Sequence, residues 1–199
     1  MATVDTQPDL DRISKQLSYQ IWVTRKNHIN ASERLLKSAA YIEFINVYYS
    51  IVMILFSLLS ISPYIGGNET PIAYLSIAAS VILTVSIIFA NSLGYHQRAL
   101  DLKKNYISLQ SLLTELDCLS PITTTELSRI QQEYSKLLSD VENHQHIDFI
   151  NVKRTNHIDN HLMELSDWVY YYTYVLCHSF WRLFLVILPI LALFIIYHF

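Results

Sequence analysis

Glycine and proline are scarce, three and five among 199 residues, or about 4% where soluble proteins carry roughly 12%. A chain with so few turn formers cannot close a succession of hairpins, which excludes a many-stranded β architecture. Charge is also thin, at 16% of residues against about 25% for a soluble domain. Two cysteines cannot frame a disulfide scaffold, and with no glycine period or polar low complexity the collagen-like and disordered classes fall away too. What the chain has is apolar side chains, 52% of residues, with a mean hydropathy of +0.26. A helical membrane protein of about one domain's length is the class left standing.

Between Glu43 and Arg98 the single formal charge is Glu69, leaving uncharged runs of 25 residues (Phe44 to Asn68) and 28 residues (Thr70 to Gln97). Each exceeds the roughly 20 residues that a helix needs to cross hydrocarbon. Pro63-Tyr64-Ile65-Gly66-Gly67-Asn68 separates them and reads as a tight exposed turn. Thr70-Pro71 supplies an N-cap and a first-turn proline, so a transmembrane hairpin is predicted over 44–62 and 71–93. A third uncharged run, Leu183 to Phe199, holds 17 residues and includes Pro189, a short but admissible third C-terminal span. The aromatics before it, Trp168, Tyr170, Tyr171, Tyr172, Tyr174 and Trp181, suit a headgroup layer, from which Arg182 can snorkel.

All 14 Lys and Arg residues fall either before the hairpin (six) or between Arg98 and Arg182 (eight). The positive-inside rule then places the N-terminus and the 94–182 segment in the cytoplasm and the turn outside, an inner-membrane topology. No secretory signal is expected, since about 40 polar residues precede the first apolar run. Cys118 and Cys177 are expected as reduced thiols.

The polar segments carry helical stripes. Leu102, Tyr106, Leu109, Leu113 and Leu116 recur at spacings of four and three up to Ser120-Pro121. Thr123 and Glu126 have capping-box spacing, and Leu127, Ile130, Tyr134, Leu137 and Val141 then resume the stripe. Leu10, Ile13, Leu17 and Ile21 add a third, within an amphipathic N-terminal helix over 1–43. The expected fold is all-α: a transmembrane hairpin, a cytoplasmic helical bundle and a third C-terminal transmembrane helix.

Eight basic against eleven acidic residues from Arg98 to Arg182 argue against nucleic-acid binding, which needs a basic surface. Arg12, Lys15, Arg25, Lys26, Arg34 and Lys37 face only Glu33 over 12–37. They are candidate contacts for anionic lipid, or for a phosphate-bearing ligand or acidic partner. His157 and His161 have i, i+4 spacing, with Asp159 and His144 or His146 as further metal candidates. The H-E-x-x-H pattern is absent, because Ile158 holds its second position. With no phosphate loop, nucleophile elbow or carboxylate pair in a recognisable setting, neither an enzyme nor a cofactor or metal is expected.

Small polar residues lie on the span faces: Asn46, Ser50, Ser57 and Ser60 on the first, Ser76, Ser80, Thr84 and Asn91 on the second. Such stripes serve close helix packing in lipid, or line a lumen. Two spans cannot enclose water alone, so a channel would require a homo-oligomer, with Glu69 ringing its outer mouth.

Ile21-Trp22-Val23-Thr24-Arg25-Lys26 through Ile29-Asn30-Ala31-Ser32-Glu33-Arg34-Leu35-Leu36, with Tyr48-Tyr49-Ser50 in the first span, resembles the SLATT family. Tyr95-His96-Gln97-Arg98-Ala99-Leu100 to Tyr106-Ile107-Ser108-Leu109 is similar to that family's post-hairpin helix. The family comprises bacterial two-transmembrane effectors found beside nucleotide-messenger synthases, nucleotide sensors or reverse transcriptases, and the wording is most similar to the reverse-transcriptase-associated subgroup. The resemblance implies an antiphage effector that permeabilises the inner membrane when its operon partner signals infection, with no catalytic residues to carry over. The alternative is a non-conducting scaffold that anchors a partner protein. The third run exceeds the family's two spans and is free to dock against the hairpin.

Overall fold

The computed structural model describes residues 7–60, 69–119, 121–156 and 163–198, and these are helical with short connections and no strand. Six helices follow in order: α1 (Gln7–Ser60), α2 (Glu69–Ser92), α3 (Tyr95–Cys118), α4 (Thr124–Ser139), α5 (His146–Asn156) and α6 (Leu165–His198). The all-α class read from the sequence is the one observed. The turn 63–68 and the histidine pair His157 and His161 lie outside the described residues.

The polar N-terminal helix and the first span, separate in the sequence reading, form one helix of 54 residues, about 80 Å long at 1.5 Å per residue. After Pro8, in the first turn where a missing N–H breaks no bond, no glycine or proline interrupts it. α2 begins at Glu69, one residue ahead of the expected Thr70 cap, and keeps Pro71 in its first turn. It stops where Gly94 takes φ +58°, the left-handed region that ends helices without a Cβ clash. There Leu93 and Gly94 donate their N–H groups to the carbonyls of Ala90 (3.3 Å) and Asn91 (3.2 Å). α6 begins 18 residues before the uncharged run, because the aromatic stretch before Leu183 is itself helical.

Three helices, α1, α2 and α6, contain segments long and apolar enough to cross a membrane, and at most 6% of each segment is buried. Apolar side chains left uncovered on this scale require lipid or further protein around them. The residues form two compact units, one of residues up to Leu36 with His96–Trp168, the other of Lys37–Tyr95 with Val169–Phe199.

The first unit has a continuous core. Leu10, Leu17 and Ile21 of α1 pack with Leu109, Leu112, Leu113 and Leu116 of α3, Ile122, and Leu127 and Ile130 of α4. The expected stripes thus meet, with Ile13 exposed and Tyr106 and Val141 only half-buried. The turn into α4 is the expected capping box: Thr123 Oγ1 accepts from the Glu126 N–H, and the Glu126 carboxylate accepts from the Thr123 N–H at 3.0 Å. That pair of Thr123 bonds holds the Glu126 carboxyl below its usual range. α5 has no counterpart in the sequence reading, although Ile147, Ile150 and Val152 are buried on it.

An added Cβ at Gly94 meets nothing within 4 Å, so a substitution there costs only backbone strain. Gly94→Ala should destabilise the protein by about 1 kcal/mol and Gly94→Asn by less, since asparagine tolerates the left-handed region. Denaturant titration of the detergent-solubilised chain checks both.

Candidate functional site

In the apolar unit, three tyrosines of α1 reach carbonyl groups of α6. The Tyr41, Tyr48 and Tyr49 hydroxyls donate to the carbonyls of Arg182, Val186 and Leu185, each at 2.8 Å. The Leu185 bond has a covalent reason. Pro189 lies four residues beyond Leu185, and a proline has no N–H to give the carbonyl one turn back. In water solvent would satisfy that oxygen, but in hydrocarbon it stays unpaired at considerable cost. Tyr49 supplies the missing donor from the neighbouring helix, and Pro189 itself is buried. The partners rise together along both helices, so α1 and α6 run in the same direction. The Arg182 guanidinium lies 4.8 Å from the centre of the Tyr41 ring, within cation–π reach.

α1, α2 and α6 border a half-open cavity of about 500 Å³, lined by α1 from Tyr41 to Phe56, α2 from Ala79 to Ala90 and α6 from Leu185 to Pro189. On α2 the lining positions are Ala79, Ile82, Leu83, Ser86 and Ala90, and three of these five side chains are small, which leaves the space open. Of the eight small polar candidates, Asn46 lines this cavity. Ser57, Ser80, Thr84 and Asn91 are exposed and Ser50 is half-buried. Ser60, Glu69 and Ser76 belong to helices, but their side chains lie outside the described residues. The described hydroxyls bond back to their own helices: Ser50 to the Asn46 carbonyl, Ser57 to Met53, Ser80 to Ile77 and Thr84 to Ser80, at 2.7–2.9 Å. Each is thereby satisfied without water or a second helix.

The first unit carries a different kind of site, a buried polar seam along α1. Thr24 bonds the Tyr134 hydroxyl (2.8 Å), Asn27 bonds His144 Nε2 (3.2 Å), and His28 Nδ1 bonds Asn105 Oδ1 (2.8 Å). Ser32 donates to the Ala99 carbonyl (2.9 Å), and the Asn105 amide donates to the Leu137 carbonyl (2.6 Å). Asp148 on α5 is the hub. Its carboxylate accepts from Arg34 Nε and a terminal guanidinium nitrogen, both at 3.0 Å, and from the Gln145 N–H at 2.9 Å, while its carbonyl accepts from Asn30. A carboxylate that is 1% exposed is tolerable only with such saturation, and losing one partner of a buried pair typically costs about 3 kcal/mol or more.

This seam changes the standing of the basic residues. Arg34 is committed to Asp148. Arg25 is half-buried and hydrogen-bonded to Gln110, and Lys26 places its ammonium 5.7 Å from the Trp22 ring centre. Arg12, Lys15 and Lys37 are exposed. Burial holds both seam histidines below the ordinary imidazole value. For His28 it outweighs the Asn105 bond, with His144 depressing it further and Asp148 opposing. For His144, burial is opposed by Asp148. Among the described residues no group of three acids, histidines or cysteines could hold a metal, and both cysteines are free and exposed.

Sequence reasoning missed Tyr41, Ser86 and Asp148. Tyr41 sits just ahead of the first uncharged run and Ser86 inside the second, which was read only for hydropathy, and Asp148 lies in an acidic background. The i−4 relation between Pro189 and Leu185 was the available signal for a hydroxyl donor.

Three exposed apolar helices and a helical bundle with a buried polar seam define a membrane protein that presents a folded polar module. The profile of the SMODS and SLOG-associating 2TM effector domain family 5 matches residues 11–197, and the chain belongs to that family. Neither a curated protein nor a solved structure matches it.

Tyr49→Phe should cost about 1 kcal/mol in the wild-type background, by orphaning the Leu185 carbonyl. It should cost much less beside Pro189→Ala, which restores the intrahelical donor. A double-mutant cycle on unfolding in detergent reads the difference. Because both seam histidines are depressed in the folded state, the unfolded chain binds more protons on acidification. Their stabilisation is therefore complete above about pH 6.5 and falls as pH drops below it. His28→Gln should flatten that slope in pH-dependent thermal unfolding.

Proposed function

We propose that the chain is a bacterial antiphage effector. It sits in the inner membrane with its N-terminus in the cytoplasm, associates with copies of itself, and permeabilises the bilayer when an operon partner or nucleotide signal acts on the polar unit. Growth arrest or cell death follows. The partner is a reverse transcriptase, a nucleotide-messenger synthase or a nucleotide sensor, and the chain itself performs no catalysis and needs no cofactor. Membership of an effector family built on transmembrane helices supports this reading, as does the division of all basic residues to one side of the hairpin.

The observation that carries the permeabilising step is the state of the span hydroxyls. Ser57, Ser80 and Thr84 are exposed, yet each bonds its own backbone. Such a surface rests in hydrocarbon with its polarity masked, and the same oxygens keep lone pairs for water once several copies turn them inward. The two arrangements need differ by only a few kcal/mol for a ligand with unequal affinity to move the population between them.

Inducible expression with the genetic partner, followed by membrane-potential dye and propidium uptake, tests the proposal. Activation should collapse the potential together with growth, and Ser80→Leu with Thr84→Leu should abolish toxicity in protein that still inserts and oligomerises. Arrest with an intact potential, or full toxicity in the double variant, would instead identify a non-conducting scaffold for a defence partner.

A further inference from the structure

The cavity of the apolar unit adjoins a half-buried cation with one unpartnered donor. Arg182 Nε is buried and has no hydrogen-bond partner, and its guanidinium packs on the ring of Tyr41, which itself lines the cavity. A buried N–H on a charged group left without an acceptor is destabilising, and guanidinium geometry favours a phosphate or carboxylate acceptor. The remaining lining is almost wholly aliphatic and aromatic, relieved by Asn46, Tyr49 and Ser86. About 500 Å³ falls within the size range of ligand sites that are mostly apolar with a few convergent polar groups.

From these observations we infer that the cavity holds one anionic phospholipid, an acyl chain lying between α1, α2 and α6 and the headgroup phosphate on the Arg182 guanidinium. The lining of α2 runs from Ala79 to Ala90, about 16 Å along a helix, which matches one leaflet of a hydrocarbon core about 30 Å thick. Arg182 and the start of the first span lie at the end that the proposed orientation assigns to the cytoplasm, where basic pockets between helices take anionic headgroups. The inference rests on that orientation for its choice of leaflet. A helix of a second copy in the cavity would fill the volume but would bring no anionic acceptor for Arg182 from an uncharged span.

The test uses the full chain, delipidated in detergent and returned to phosphatidylglycerol or to phosphatidylcholine with the same acyl chains, with retained lipid counted by native mass spectrometry. About one phosphatidylglycerol per chain is expected, preferred over phosphatidylcholine by about fivefold, the equivalent of one basic contact. Arg182→Gln should erase the preference while leaving acyl retention, Arg182→Lys should keep part of it, and Ala79→Phe or Ser86→Leu should reduce both lipids at unchanged helicity. Equal retention of the two lipids by the wild type, or undiminished preference in Arg182→Gln, overturns the inference. So does efficient disulfide formation between copies carrying Ala79→Cys with Cys118→Ser and Cys177→Ser in native membranes, which would place a second chain at the cavity. Retention is measured without reference to sidedness or conductance, so failure of the pore assay and failure of lipid binding are separate results.

Discussion

A backbone carbonyl without a donor is tolerable in water and costly in hydrocarbon, and the apolar unit is organised around that difference. It explains why the spans are helices, why their hydroxyls bond their own carbonyls, and why Tyr49 reaches the backbone of another helix. Pro189 makes the point most directly. The residue deprives Leu185 of its intrahelical donor, and Tyr49 replaces the donor from outside the helix at 2.8 Å. The bond that repairs α6 therefore also fixes its register against α1.

The first unit meets the same requirement in the opposite manner. There α1 turns amides, an imidazole and a guanidinium inward, toward α3, α5 and the segment around His144. Apolar packing alone would tolerate a shifted helix, because leucine stripes slide over one another with little change in buried area. A bidentate arginine and a buried asparagine do not slide, because their bonds form in one register of the helices. Such a seam adds uniqueness of arrangement more securely than it adds net stability.

How much of this was legible in the sequence follows from which forces are local. The spans, the capping box at Thr123 and the stripes through Leu109 and Ile130 follow from composition, spacing and short-range geometry, and each was read ahead of the structure. The extent of α1 was understated, because a change from polar to apolar composition near residue 43 resembles a boundary although no helix breaker stands there. α6 was understated for a similar reason: its aromatic half is less hydrophobic but equally helical. Asp148 was invisible, because burial of a carboxylate depends on Arg34, more than a hundred residues away in the chain. The segment from Thr24 to Arg34, read first as a basic stretch and a family signature, is the polar seam itself.

Among the described residues the helices of the apolar unit are unequally tied. α1 and α6 are laced by three directional tyrosine bonds, whereas the hydroxyls of Ser80, Thr84 and Ser92 on α2 all return to their own helix, and its small-residue face borders open volume. Sliding or rolling α2 breaks no tyrosine bond, while shearing α1 against α6 breaks three and exposes the proline gap. The unit is therefore stiff along one pair of helices and compliant along the third, and the softest displacement available to it is a change in how α2 sits on a braced pair.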